Sequence, residues 1–168
     1  MTFFTATINS WKHLLNDDEI KQILVNALDW MHQNNHASTH GFVLMPNHIH
    51  LLWSASGKYS PQKNELTLLR FTAHEFKKYL LQNNTNLLQE YLSTQSDREY
   101  HFWERRARTI DIANRKIAEQ KLDYIHQNPL QEKWKLAEQQ EDYFYSSAKF
   151  YLRNEGDLFF LTQNMDFV

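Results

Sequence analysis

The chain has 168 residues, 42% of them hydrophobic and 14% aromatic, which is enough for one packed domain and too apolar for a disordered segment. Cysteine is absent, which excludes disulfides and thiolate metal sites and leaves His, carboxylate, amide or water as metal ligands. A formal net charge of −2 gives no global pull on nucleic acid, and no apolar run reaches the length of a membrane span.

Thr2 to Asn9 alternates like a β-strand. The N-terminus before it lacks the basic start and small-residue cleavage site of a secretion signal, so a cytoplasmic location is expected. Asp17-Asp18-Glu19 opens an amphipathic helix over Ile20 to Asn34, with Ile23, Leu24, Ala27, Leu28 and Met31 inward. His40 to Leu44 and His48 to Ser54 read as two strands joined through Met45-Pro46-Asn47, an antiparallel hairpin. A polar loop follows to Ser60, then a helix over Pro61 to Leu81 with Leu66, Leu69, Phe76 and Leu80 inward. Residues 83–98 are rich in Asn, Gln and Ser and read as a flexible insertion with room for a short helix.

Tyr100 to Trp103 and Arg106 to Ile110 read as two short strands. The last long helix starts near Ile112, with Asn114 as N-cap and Ala118, Leu122 and Ile125 at helical spacing. Pro129 disfavours helical geometry at Asn128 and is expected to end the helix there. No repeat or domain boundary interrupts the chain, so 1–168 reads as one domain with an acidic C-terminal tail. The order β-α-β-β-α-β-(β)-α specifies an α+β fold, an antiparallel sheet with helices over its faces.

Charge is uneven along the chain. Residues 1–60 carry 3 Lys+Arg against 4 Asp+Glu, residues 61–135 carry 13 against 10, and residues 136–168 carry 2 against 6. Basic residues gather as Arg70 with Lys77 and Lys78, as Arg105, Arg106 and Arg108, and as Arg115-Lys116. Such clusters are ordinarily solvated surface. Here they flank the two segments that carry chemistry, which makes the first six candidates for contact with nucleic acid.

Those two segments are Met45–Trp53 and Lys121–Pro129. On a strand, His48 and His50 point to one face while Ile49, Leu51 and Trp53 point to the other, so two imidazoles stand side by side as half of a metal site. On a helix, Tyr124 and Asn128 are one turn apart and share a face. Singly, each has a plainer reading: satisfied histidines on a wet sheet, a half-buried tyrosine, an Asn that closes a helix.

Together, Met-Pro-Asn-His-Ile-His and, some seventy residues on, Tyr-Ile-His-Gln-Asn-Pro resemble the HUH single-strand transposases, specifically the REP-associated tyrosine transposases. Phe102-Trp103-Glu104-Arg105, Tyr145-Ser146-Ser147 and Phe3–Thr7 resemble further blocks of that family, so the likeness spans roughly residues 2–150. The resemblance implies a ferredoxin-like sheet with the His pair on a central strand. It implies Tyr124 as the nucleophile and a divalent metal, Mg²⁺ or Mn²⁺, held by His48, His50 and Asn128, with His126 and Gln127 as alternatives on other helix faces. The implied partner is single-stranded DNA with hairpin or palindromic ends, cleaved and rejoined through a 5′-phosphotyrosine by a monomer or a homodimer. Phe102 and Trp103 beside Arg105 and Arg106 are candidates for base stacking, with core packing the better reading for the two aromatics. The competing reading is a catalytically silent, domesticated hairpin binder that keeps the motif residues.

Overall fold

The computed structural model describes residues 1–155 and 158–162; residues 156–157 and 163–168, which include the end of the acidic tail, lie outside the described residues. Alternation along β1 (Thr2–Thr7) puts Phe4 and Ala6 on one face and Phe3, Thr5 and Thr7 on the other. β1 pairs antiparallel with β3 (His48–Ala55), which pairs antiparallel with β2 (Ala37–Met45), and β4 (Arg108–Asp111) closes the other edge beside β1. The order β2-β3-β1-β4 gives the antiparallel sheet expected from the element pattern, in the ferredoxin-like arrangement that the family resemblance implied.

Each sheet face has its own core. Phe4, Ala6, Phe42, Leu44, Ile49, Leu51 and Trp53 pack with α1 (Asp18–Gln33) and α2 (Pro61–Asn83). Phe3, Val43, Met45 and Leu52 pack instead with Ala118, Leu122 and Ile125 of α4 (Arg115–Gln127). The helices start at polar caps: Asp17 accepts from Glu19 N, Ser60 from Lys63 N, and Asn114, the cap expected from the sequence, from Ile117 N. Among the described residues no helix is long and apolar enough to cross a membrane.

Gly41 brings α4 down onto the sheet. It follows an irregularity in the β2–β3 register, and a Cβ added there would lie 2.5 Å from Leu122 Cδ1. A side chain there would displace the end of Leu122, so the glycine lets that leucine of the Tyr124 helix pack directly on the sheet backbone.

The structure departs from the expected pattern in four places. The inward stripe of α2 is Asn64, Leu68, Thr72, Phe76 and Leu80, while Leu66 is exposed. A purely apolar stripe misses this because two inward positions are polar and hydrogen-bonded: Asn64 Nδ2 donates to His36 O, and Thr72 Oγ1 accepts from Trp103 Nε1. Tyr100 to Trp103 makes isolated bridges, Leu92–Tyr100 and Ile8–Trp103, in place of a strand. Within 83–98 a short helix α3 (Thr85–Gln89) forms, and buried Leu88 and Tyr91 join the main core, Tyr91 stacking on Phe102. α4 ends at Gln127 with Asn128 as its C-cap, as expected, but Asn128 keeps helical dihedrals (φ −56, ψ −44), and a 3-10 turn, Asn128–Leu130, carries the chain over Pro129. The steric bias before proline is a preference, and the missing N–H costs little at the first position of a new turn.

Candidate active site

His48 and His50 lie on the α4 face of β3, with ring centroids 4.7 Å apart, and both are buried. Their neighbours on β1 follow from the register: Thr7 stands opposite His48 and Thr5 opposite His50. Thr5 Oγ1 is 2.8 Å from His50 Nδ1. His48 Nδ1 donates to Asn47 Oδ1 at 2.7 Å, which leaves the Nε2 lone pair of His48 free to accept. His50 Nε2 is buried with no hydrogen-bond partner among the described residues.

Burial holds both rings neutral. His48 is lowered to about 4, chiefly by desolvation, then by the charge of Lys133, with the hydrogen bond to Asn128 opposing. His50 is lowered to about 3 by desolvation, then by His48 and Lys121. Neutral imidazole is the form that donates a lone pair to a metal.

α4 brings the second half. The Tyr124 ring lies 5.2 Å from that of His50 and 6.1 Å from Phe3, and the tyrosine is 43% exposed. Lys121, one turn earlier, puts its ammonium 5.9 Å from the Tyr124 ring centre and 4.9 Å from that of Phe3. Asn128 is buried and reaches His48. His48, His50, Tyr124 and Asn128 thus line one cleft of about 220 Å³ together with Thr5, Thr7, Trp11, Lys133 and Trp134.

His126 faces away from this cleft. Its Nε2 lies 2.9 Å from Ser147 Oγ, which also accepts from Phe42 N, so it ties α4 to β2. Gln127 is exposed and does not line the cleft. Of the three polar residues at the helix end, Asn128 is the one beside the His pair.

The basic candidates divide. Arg105 and Arg106 line a groove that adjoins the cleft, and exposed Arg108 lies on edge strand β4, opposite Thr5. Arg70, Lys77 and Lys78 belong to α2, on the other face of the sheet; Lys77 pairs with Glu99 and Lys78 with Glu75. Phe102 and Trp103 are core residues, 3% and 6% exposed, which removes them as stacking platforms.

Sequence reasoning missed Thr5, Trp11, Lys121, Lys133 and Trp134. The alternation of Thr5 and Thr7 with Phe4 and Ala6 was a usable signal, since polar positions on an interior strand need partners. The indoles gave none, because their neighbours are distant in sequence.

The sequence matches no protein-family model, and no curated protein matches it. In three dimensions it matches a solved REP-associated tyrosine transposase bound to a REP hairpin, with a TM-score of 0.63 over 99% of this chain and 92% of that one, at 20% identity. This chain has the fold of a REP-associated tyrosine transposase. The ferredoxin-like HUH fold anticipated from Met45–Trp53 and Tyr124–Pro129 is therefore the one observed, with α1 and α2 on one face of the sheet and α4 on the other.

Proposed function

We propose that this protein cleaves and rejoins single-stranded, hairpin-bearing DNA through a covalent bond to Tyr124, with the help of a divalent metal ion. The observation that carries the proposal is the convergence of His48, His50, Asn128 and Tyr124 in one cleft. Likeness in fold to a transposase bound to a REP hairpin supports the choice of hairpin DNA as substrate.

The donor set fits a divalent ion. Two neutral imidazoles, one with a buried Nε2 that lacks a partner, face a buried amide. Among the described residues no group of three or more His, Asp or Glu gathers anywhere, so a third protein donor would have to be the Asn128 amide beside the His pair. Held by His48 Nε2, His50 Nε2 and Asn128 Oδ1, Mg²⁺ or Mn²⁺ would supply Lewis acidity at the scissile phosphate.

The protein's own residues do the rest. The Tyr124 oxygen forms a bond to phosphorus as the bond from phosphorus to the 3′-oxygen breaks. The phenol proton is lost to solvent, and the leaving 3′-oxygen takes one up, so the step is balanced without water or ATP. The ester stores the bond energy for attack by another 3′-hydroxyl. The Lys121 ammonium beside the Tyr124 ring counters the charge that develops on the phenol oxygen and phosphate.

The test is incubation with a labelled hairpin-bearing oligonucleotide and Mg²⁺ or Mn²⁺. The expected product is a denaturation-resistant adduct on the peptide containing Tyr124, lost in Tyr124→Phe. Binding without cleavage by the wild type would mark a silent hairpin binder. Cleavage by Tyr124→Phe would mark water as the nucleophile.

A further inference from the structure

Trp11 is built in a way that core packing does not require. Its side chain is 61% exposed, and its backbone lies in the left-handed region (φ +57), as does that of Ser10 before it (φ +57). Bulky L-residues avoid this region, and a non-glycine residue held there points to something gained elsewhere. The conformation is clamped from two sides. Ser10 N donates to Glu104 Oε1 at 2.7 Å, Asn9 N donates to Phe102 O at 2.7 Å, and Asn47 Nδ2 donates to Trp11 O at 3.2 Å. Asn47 is also the residue whose Oδ1 holds His48. The fold thus spends two polar clamps on presenting an indole to solvent next to the His pair.

Its surroundings say what the indole meets. Trp11 and Thr7 are shared walls of two depressions: the cleft with His48, His50 and Tyr124, and an adjoining groove of about 500 Å³ that includes His101, Arg105 and Arg106. Glu104 lines the groove too, its Oε1 taken by Ser10 N, and Arg105 pairs with Asp97 at 3.5 Å; an apolar protein surface seated here would still bury these charges and an imidazole away from water. A single strand fits better: its phosphates meet the guanidinium groups, and a base offers a flat face to the ring.

We infer that Trp11 is a stacking platform that holds one base of the single strand beside the bond Tyr124 attacks. This rests on the function proposed above and adds the residue that sets which nucleotide stops at the nucleophile. The main-chain clamp through Asn47 links base capture to the ring of His48, so the platform is fixed relative to the reacting phosphate.

The test uses a hairpin oligonucleotide with a single-stranded flank in which an abasic site is moved one nucleotide at a time. Affinity at fixed salt is measured for wild type, Trp11→Asn and Trp11→Phe. Asparagine tolerates the left-handed region, so Trp11→Asn removes the ring without forcing the turn. Wild type should lose affinity about five- to a hundred-fold at one abasic position and little at its neighbours. Trp11→Asn should bind the intact strand more weakly by a similar factor and be indifferent to that position, and Trp11→Phe should recover most of the loss. Without DNA, Trp11→Asn should melt at or above the wild-type temperature.

Equal sensitivity of wild type and Trp11→Asn to the abasic site would overturn the inference. So would a Trp11→Asn variant that melts well below wild type, since the indole would then be a structural prop. A wild type that forms the Tyr124 adduct yet shows no position-dependent loss removes the platform alone. A wild type that binds no hairpin-bearing strand removes the functional reading with it.

Discussion

The hydroxyl of Thr5 lies 2.8 Å from His50 Nδ1, on the strand position directly opposite. If His50 gives Nε2 to a metal, its proton sits on Nδ1 and donates to Thr5, and the hydrogen bond fixes both tautomer and ring orientation. Thr5→Val keeps the branched shape and removes the hydroxyl, so the sheet should hold. Loss of such a supporting contact weakens metal binding about 10- to 100-fold, and that is the expected drop in Mn²⁺ affinity in a calorimetric titration without DNA. Unchanged affinity would show that His50 needs no such support, or is no ligand. Thr5 also shows where sequence reading stops at this scale. His48 with His50, and Tyr124 with Asn128, are local patterns with period two and period four, legible in any strand and helix. The partners that orient them come from β1 and from the Asn47 turn, and no local period reveals a cross-strand neighbour.

Among the elements, the hairpin and the three long helices were legible because each rests on its own periodicity, and Asn114 was legible as a cap. The inward stripe of α2 was less so, because Asn64 and Thr72 are inward and polar. The close packing of Leu122 on β2 was hidden altogether, since it uses the absence of a side chain at Gly41. Rotation of α4 is set by His126, buried against Ser147 with the Tyr151 ring 5.6 Å away. Burial lowers His126 to about 4 from 6.5. In the unfolded chain the ring protonates as pH falls through 6.5, while in the folded protein it stays neutral down to about 4. The folded state is therefore not penalised above that window and loses stability progressively within it. His126 alone should cost about 2 kcal/mol by about pH 5, and lowered His48 and His50 add to the loss in the metal-free protein. Denaturant unfolding at about pH 7 and pH 5 should show a smaller acid loss for His126→Gln than for wild type. Equal losses would mean that His126 protonates in the folded protein as freely as in the unfolded chain.

Across the whole molecule, a chain of net charge −2 has to bind a polyanion by arrangement. The sheet gathers cations at the end that holds the cleft: Lys133 in its lining, Lys121 beside the Tyr124 ring, and Arg105 and Arg106 in the adjoining groove. Arg105 is paired with Asp97 at 3.5 Å, but both are exposed, and a surface pair of that kind is worth too little to keep the arginine from phosphate. Another basic pair, Arg115 and Lys116, opens α4 roughly 13 Å along the helix axis from Tyr124. Each phosphate contact on a single strand contributes about 0.7 to the slope of log affinity against log salt, through counterion release. Arg105→Ala with Arg106→Ala should therefore weaken binding of the hairpin-bearing strand and flatten that slope by about 1.4. Arg115→Ala with Lys116→Ala should leave the slope alone. The two variants lose the same formal charge, so a general field effect would change both slopes equally, and that result would mean that the groove beside Trp11 is not the path of the strand. If neither slope moves, the arginines touch no phosphate, and the cleft must draw its DNA in through Lys121 and Lys133 alone.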